Sequence, residues 1–327
     1  MTDHDQDAEV DGPDGHAEVD GPDGHAGGAA EMDGPDGQRG VVRRVDDRLG
    51  LAVERVGLSG RTLVTYARDH VTVRTPSRPD FRDGNSLDLV APPQPDDLPG
   101  WIERFDRTIG PMGVQHVQLR WETALDPDTP ATAPVADRGL VEATRRSGME
   151  LHATTVHLLD DLVAPPAVSA ELTAVEAPSA VPGGAVDRRW HAATVLYRYM
   201  SGETPDDWRA SDEAFTAWSI DVQRELAAAE RAQVWIAVRH GGPVARLTVV
   251  HDRQGLAAVE DVVVHPVHRR LGIAAALTHR GVAAHLKQHP ESRVGIGAEP
   301  GSAADRLYRR LGFRPHATVW TALRPAA

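Results

Sequence analysis

The sequence predicts an α/β (α+β) fold, with mixed sheets flanked by helices behind a disordered acidic tail. Three observations support this prediction. The 327 residues are enough for two hydrophobic cores, short apolar runs alternate with segments of helical period, and the first forty residues repeat an acidic unit. We therefore divide the chain into a tail at 1–40, a first domain at 41–165 and a second domain at 166–327.

The tail is a short repeat of acidic, glycine-rich units. AEVDGPDGH occupies 8–16 and again 17–25, and AEMDGPDGQ occupies 30–38. Each unit carries one bulky apolar residue, which cannot offset an ordering cost of about 1–2 kcal/mol per residue. We expect this segment to be disordered.

Charge and composition exclude several classes of function. The net charge of −13 comes mostly from the tail, because residues 1–40 hold 12 of the 48 acidic side chains and one of the 35 basic ones. The rest is nearly neutral and has no basic patch, so we expect neither a nucleic-acid nor a membrane partner. The chain has no cysteine, which excludes thiolate chemistry and disulfides. No long apolar run or signal-like start is present, and we expect a cytoplasmic protein without a metal.

The first domain alternates between strand-like and helix-like segments. Period-two and apolar runs predict strands, and 3.6-residue spacing with Pro99 at a helix start predicts helices. The expected strands are 62–66, 70–74, 86–91, 114–121 and 149–158, and the expected helices are 98–109 and 135–147. A linker rich in proline and glycine follows at 163–185, with a strand at 170–176 inside it.

The second domain gives a more regular series. Its expected helices are 186–200, 211–231, one ending near 288, and 302–311; its expected strands are 234–239, 244–251, 257–264, 292–297 and 317–323. Ser302 and Asp305 have capping-box spacing, and Gly312 ends that last helix. We expect four tryptophans in the core: Trp190, Trp208, Trp218 and Trp235.

The stretch VEDVVVHPVHRRLGIAAALTHRG at 259–281 carries the strongest functional signal. Pro266 ends a strand, and the helix that follows begins with N–H groups that have no intrahelical partner. Gly272 allows close approach of a ligand, Arg269 and Arg270 add positive charge, and the helix dipole favours an anion. The turn therefore predicts a pyrophosphate site, although neither the dinucleotide nor the triphosphatase glycine pattern is present.

Two segments resemble signatures of the GNAT N-acetyltransferases. Residues 269–274, RRLGIA, are similar to the acyl-coenzyme A loop [RQ]-x-x-G-x-[GA], and 305–313, DRLYRRLGF, resembles the second signature of that superfamily. The resemblance covers roughly 168–325 and departs from the family at Gly301, where many members carry Asn. It implies tandem GNAT-like sheets.

The first half resembles the degenerate N-terminal half of bacterial two-domain GNAT proteins. The similar segment is RTPSRPDFRDGNSLDLVAPP at 74–93. Its own nearest loop match, 107–112, lies at a helix end, and Pro111 removes one N–H donor. We therefore expect this half to be structural or to shape the substrate site.

The resemblance implies an acetyl-coenzyme A dependent N-acetyltransferase acting on an unidentified primary amine of a small molecule or peptide. Glu260 would be the general base and Tyr308 the acid that protonates the leaving thiolate. Strand alternation places Glu260 and Asp261 on opposite faces, so that only one faces the cleft. The acetyl-coenzyme A contacts implied by the family are Val262, Val263, Val264, Arg269, Arg270, Leu271, Gly272, Ile273, Ala274 and Ala275.

Other interpretations of these residues stay open at the level of sequence. The protein could be a non-catalytic coenzyme A binder or regulator, or a scaffold or toxin-neutralising partner. Glu260 could be a solvated strand residue and Tyr308 a core tyrosine. We expect His265 and His268 to be surface histidines, and the chain to be a monomer or a homodimer.

Overall fold

The computed structural model describes residues 48–58, 60–125, 136–177, 185–200 and 210–326. The predicted disordered tail and Trp208 lie outside these ranges. The described residues all belong to one compact unit, Arg43–Ala327. The division into domains at 165/166 stays a prediction, and no helix in the described ranges is long and apolar enough to cross a membrane.

Seven α-helices and eleven strands make up the described part of the chain. The helices are α1 (Leu49–Gly57), α2 (Leu98–Thr108), α3 (Arg138–Arg146), α4 (Ala185–Tyr197), α5 (Ala210–Ala228), α6 (Ile273–Gln288) and α7 (Ala303–Arg310). The strands are β1 (Leu63–Tyr66), β2 (His70–Arg74), β3 (Ser86–Leu89), β4 (Val117–Ala124), β5 (Glu150–Leu159), β6 (Glu171–Val175), β7 (Ala232–Arg239), β8 (Gly242–His251), β9 (Leu256–Val264), β10 (Arg293–Ala298) and β11 (Phe313–Arg324).

All of these strands join in one sheet with the order β1-β2-β3-β4-β11-β5-β10-β9-β8-β7-β6. Two neighbouring pairs are parallel, β3 with β4 and β9 with β10. A helix connects each parallel pair, α2 in the first case and α6 in the second. The other neighbours are antiparallel, so the sheet is mixed and flanked by helices, as the sequence predicted.

The sheet contains the same succession of elements twice. Three antiparallel strands lead through a helix to a parallel strand, and then through a second helix to a last strand: β1 to β5 in the first half, and β7 to β11 in the second. The last strands are exchanged between the halves. Strand β11 pairs with β4, and β5 pairs with β10. The tandem mixed-sheet arrangement is thus present, with each half completing the ladder of the other.

Helix α1 was absent from our prediction and lies near the centre of the molecule. It buries Leu51, Val53 and Val56 and contacts strands of both halves, including β4, β9, β10 and β11. Gly295 on β10 permits this close approach, because a Cβ at that position would collide with Val53. The helix thereby brings residues of the first half next to β9.

Candidate functional site

The parallel strands β9 and β10 separate partway along their length. Their ladder joins Leu256–Val259 to Arg293–Ile296, whereas β9 continues to Val264 and β10 to Ala298. Beyond Val259, the edge of β9 that faces β10 therefore has no strand partner among the described residues. A gap of this kind leaves backbone donors and acceptors available to an extended ligand.

The helix that follows β9 begins without a protein cap. Gly272 is its N-cap residue with φ +77°, and no side-chain hydrogen bond of the described residues caps this end of α6. Arg270 has φ +65°, which turns the chain sharply just before the helix. A Cβ at position 272 would lie 3.2 Å from Val168 Cγ1, so the turn fits glycine. The first-turn N–H groups can therefore receive an anion.

The predicted coenzyme residues fall into two groups in the structure. On β9, Val262 lines a cavity beside the gap between the two strands, while Val263 is buried in the sheet. Residues 269–275 form the turn and first helical residues beyond β9, with Leu271 exposed and Ile273 buried. The coenzyme contacts themselves stay a prediction.

A cavity of about 650 Å³ opens where the strands separate. Glu260, Asp261 and Tyr308 all line it, so the structure brings both predicted catalytic side chains to one space. Residues of the first half, on α1 and the loop before β3, complete its wall. A volume of this size is typical of small-molecule sites.

A β-bulge at Asp261 makes the predicted strand alternation wrong. The register with β8 shifts between the pairs Thr248–Glu260 and Arg246–Val263, and Asp261 has φ +55°. An extra residue in one strand breaks the two-residue period locally. As a result, Glu260 and Asp261 line the same cavity rather than facing opposite sides.

Asp261 is held by buried polar partners. Its Oδ2 lies 3.3 Å from Nη2 of Arg246 and accepts a 2.7 Å hydrogen bond from Nε2 of Gln223. Burial raises the pKa of Asp261, although Arg246 opposes the shift. Arg246 is itself fully buried and also donates to Gln223 and Thr248. This network occupies Asp261, so that Glu260 is the one of these two neighbouring acids without a hydrogen-bond partner among the described residues.

Glu260 lies in an environment that disfavours its charged form. Burial raises its pKa well above the usual range, and the nearby carboxylates of Asp261, Glu54 and Asp83 raise it further. Within the described residues, its carboxylate has no hydrogen bond or ion pair. It lies directly against Gly57, the last residue of α1, and a Cβ there would be 2.6 Å from Oε1. A carboxylate in this environment holds a proton more readily than an exposed glutamate does.

Tyr308 lies in the wall of the cavity with 5% of its surface exposed. Burial raises the pKa of its hydroxyl, and the charge of Glu260 raises it further, so the phenol stays protonated. Its helix, α7, is fixed at its start, where Ser302 accepts from the N–H of Asp305 at 3.1 Å, as the capping spacing predicted. Asp305 also contacts the buried His157 at 2.7 Å.

Sequence reasoning missed most of the cavity wall contributed by the first half. Glu54 lies on the unpredicted helix α1. Phe81 and Asp83 lie in the segment 74–93 of the half that was expected to be structural or to shape the substrate site, but neither residue was named. Trp218 also lines the cavity and is partly exposed, which differs from our prediction. Trp190 and Trp235 are in the core as predicted.

The corresponding helix in the first half follows an acidic turn that carries its own cap. A short 3₁₀ turn at Pro95–Asp97 precedes α2, with Asp96 and Asp97 acidic and a capping box between Gln94 and Asp97. Negative charge and satisfied donors both oppose binding of a phosphate there. The loop match 107–112 lies at the end of α2, as predicted.

The histidines beside the turn have protein partners. His265 Nε2 lies 3.1 Å from the hydroxyl of Tyr199, and its ring lies 5.7 Å from that of His268. Among the described residues, no group of three or more His, Cys, Asp or Glu side chains is arranged to hold a metal ion.

Part of the chain is similar in sequence to one protein family, and the fold is similar to those of solved structures. Residues 230–315 match the family model described as acetyltransferase (GNAT) domain. A functionally unknown conserved protein from Staphylococcus epidermidis superposes with a TM-score of 0.59 at 13% identity, covering 82% of this chain and 95% of that one. A GCN5-related N-acetyltransferase from Kribbella flavida gives 0.53 at 18% identity, with 85% and 96% covered. No curated protein sequence matches the chain.

Parted parallel strands, followed by a helix that begins at a glycine with no side-chain cap from the described residues, characterise this mixed α/β protein. The family match assigns residues 230–315 to the GNAT acetyltransferase domain. At identities this low, the two solved structures show the shared fold alone.

Proposed function

We propose that the protein is an acetyl-coenzyme A dependent N-acetyltransferase that acts on a primary amine. The observation that carries the proposal is the gap between β9 and β10, which opens beside both Glu260 and Tyr308. A proton acceptor and a proton donor therefore line the same cavity, next to the edge of β9 that has no strand partner among the described residues. These are the groups that amine acylation requires.

The donor would lie along the free edge of β9 with its diphosphate at the start of α6. Val262 to Val264 would offer backbone groups to the pantetheine arm, and the N–H groups of 271–275 would hold the phosphates. Arg269 and Arg270 would add charge to this cradle. When bound, the donor supplies an acetyl group activated as a thioester.

Glu260 would begin the reaction by removing a proton from the acceptor ammonium. An alkyl ammonium has a pKa near about 10 and cannot attack until it loses that proton. A raised carboxylate pKa brings the proton affinity of Glu260 closer to that of the amine, which makes it a better base. The free amine nitrogen would then form a bond to the acetyl carbon.

Tyr308 would complete the transfer as the acid. As the carbon–sulfur bond breaks, its hydroxyl would donate a proton to the sulfur, giving the free thiol of coenzyme A. The tyrosinate would recover a proton from the acylated nitrogen, directly or through water. Glu260 would release to solvent the proton that it took from the ammonium, so that both side chains return to their starting state. The high pKa of Tyr308 keeps this proton in place before the step.

The runner-up function is a non-catalytic coenzyme A binder or regulator. It requires an intact phosphate turn with Glu260 and Tyr308 directed away from the ligand space. Both side chains line the cavity, and Tyr308 also packs in the hydrophobic core; their place on the cavity wall favours the enzyme.

Two measurements test the proposal in order. Acetyl-coenzyme A should raise the melting temperature, because a ligand of the folded state stabilises it. Thiol release with a panel of amines should then be lowered about a hundredfold in Glu260→Gln and in Tyr308→Phe. Stabilisation by acetyl-coenzyme A with no release for any amine would favour the binder, and no stabilisation would sink both functions.

A further inference from the structure

One part of the cavity wall combines aromatic rings with carboxylates. Phe81 lies 5.3 Å from Phe215 and 5.2 Å from Trp218, measured between ring centroids, and all three rings line the cavity. Phe81 comes from the first half of the chain and the other two from α5. An apolar body of modest size could pack against this group.

These rings already hold a cation. The guanidinium carbon of Arg78 lies 5.7 Å from the Phe215 centroid and 5.9 Å from that of Trp218. Both distances are within the range of a cation–π interaction. The aromatic group is therefore suited electrostatically to a positively charged partner as well as to an apolar one.

Acidic side chains outnumber basic ones on the cavity wall. Arg120 is engaged by Asp88 and Glu54, and Arg61 by Glu225, so neither offers a free positive charge. The lining acids are Glu54, Asp83, Glu260, Asp261 and Glu299, against the two arginines Arg61 and Arg120. Two of these acids, Asp83 and Glu299, are exposed, and their charges favour an ammonium group over a carboxylate at the cavity wall.

The loop that presents Phe81 and Asp83 is rigidly built. Asn85 is fully buried, accepts a 2.8 Å bond from the N–H of Thr75, and donates to the carbonyl of Phe81 at 2.8 Å. Thr75, also fully buried, donates to the carbonyl of Gly84 at 3.0 Å. These bonds close the loop at both ends and so fix the backbone that carries Phe81 and Asp83.

We infer that the loop 75–85 of the first half forms part of the acceptor site, and that the acceptor is a small cationic aralkylamine without a carboxylate. Its aromatic body would pack on Phe81, Phe215 and Trp218, and its ammonium would lie towards Asp83 and Glu260. The inference rests on the proposed function, and it assigns a role in specificity to a half that lacks a phosphate turn.

Three probes separate the parts of this inference. Phenethylamine has the ring and the ammonium, phenylalanine adds a carboxylate to the same body, and ethylamine lacks the ring. Calorimetry on the full chain in the presence of coenzyme A should give phenethylamine an affinity about tenfold or more above either of the others. Equal affinity for phenylalanine, or for ethylamine, would overturn the inference.

Matched variants then locate the binding. Asp83→Asn and Phe81→Leu should each weaken phenethylamine binding by about tenfold. The controls Asp106→Asn and Tyr66→Leu, at exposed positions outside the cavity wall, should leave it unchanged. Should Phe81→Leu lower the melting temperature, Asp83→Asn still decides, because Asp83 is exposed and supports no core packing.

Binding and turnover distinguish this inference from the proposed function. Selective phenethylamine binding without acetylation would support the site and sink the transferase. Acetylation of phenylalanine as efficient as that of phenethylamine would support the transferase and overturn the acceptor class. Phenethylamine binding that Asp83→Asn does not change would also overturn it, since the rings would then serve only to pack the two halves together.

Discussion

Glu260 on β9 rests its carboxylate against Gly57, the residue that ends α1, so that the side chain has room only because position 57 has no Cβ. We predict that Gly57→Ala displaces this carboxylate and lowers kcat by about ten- to a hundredfold, since small misplacement of a catalytic group is costly. The KM for acetyl-coenzyme A should change little. Steady-state kinetics measure both.

A glycine elsewhere provides the control for that substitution. Gly100 lies in α2, and a Cβ there would have no atom within 4 Å. Gly100→Ala should leave the kinetics as they are. If Gly57→Ala behaves in the same way, Glu260 is either mobile or not the base.

The rate should depend on pH through Glu260. Because burial and neighbouring carboxylates raise its pKa, the deprotonated base form appears only above the ordinary carboxylate range near about 4.3. We predict that kcat/KM rises with pH along a limb displaced upward from that value, and that Glu260→Gln abolishes the limb. Rates with a constant amine concentration across pH 5–9 would measure it, after correction for amine ionisation.

Glu54 provides a second test of the same limb. Its pKa is raised to about 7, mainly by burial, and its charge raises that of Glu260. Glu54→Gln should therefore keep the limb but move it to lower pH. Loss of the limb in Glu54→Gln, with the limb retained in Glu260→Gln, would transfer the role of base to Glu54.

Binding of the donor should depend on the glycine at the start of α6. Gly272→Ala forces a Cβ into a backbone with φ +77° and against Val168. We predict about a tenfold rise in the Kd for acetyl-coenzyme A, because the strain of about 1–2 kcal/mol falls on the turn that would hold the phosphates. Calorimetric titration measures the constant.

The hairpin glycine Gly241 separates strain from binding. Its φ of +78° is almost the same, and a Cβ there would meet no atom within 4 Å. Gly241→Ala should lower stability by a similar amount without changing the Kd. An equal rise in Kd for both variants would mean that general destabilisation, rather than the phosphate turn, explains the effect.

The buried charges of the first half should matter for stability. Asp88 is fully buried between Arg55, at 2.8 Å, and Arg120, at 2.8 Å. Asp88→Asn should lower the free energy of unfolding by about 3–5 kcal/mol, because Arg55 and Arg120 would both lose an anionic partner. Denaturant unfolding at neutral pH measures this, with the exposed Asp106→Asn expected to stay near the wild type.

Asp88 also sets the sign of the pH dependence of stability. Although burial opposes it, Arg120 and Arg55 hold the pKa of Asp88 below its usual value. Its contribution is therefore complete above the unfolded pKa of about 3.9 and is lost as pH falls through the lower folded value. The difference between wild type and Asp88→Asn should shrink in acid. A constant difference would show that Asp88 acts through packing alone.

Much of the fold could be predicted from local sequence. Strand β2 and the turn at His240–Gly241 were found because periodicity and turn residues are local signals, and the turn has positive φ at both residues. Helix α1 was missed because nine residues with glycines at 50 and 57 give only a weak helical signal. The exchange of last strands has no local signal, since it depends on pairing between distant segments.

The candidate site, too, could be predicted only in part. Gly272 and Tyr308 could be found because motif spacing places them on one turn and one helix. The bulge at Asp261 could not, because no residue type marks it and alternation predicts the opposite face. Phe81 and Asp83 reach the cavity because the first half of the chain packs beside the second. No spacing along the chain reveals that contact.

The placement of β11 beside β4, and of β5 beside β10, gives the molecule the form of a domain-swapped dimer whose two protomers have become one polypeptide. Either half released on its own would expose unpaired strand edges and a stripe of apolar surface, which is the usual route to aggregation. Fragments cut between β5 and β6 should therefore stay associated, and recover together when mixed, while each alone precipitates.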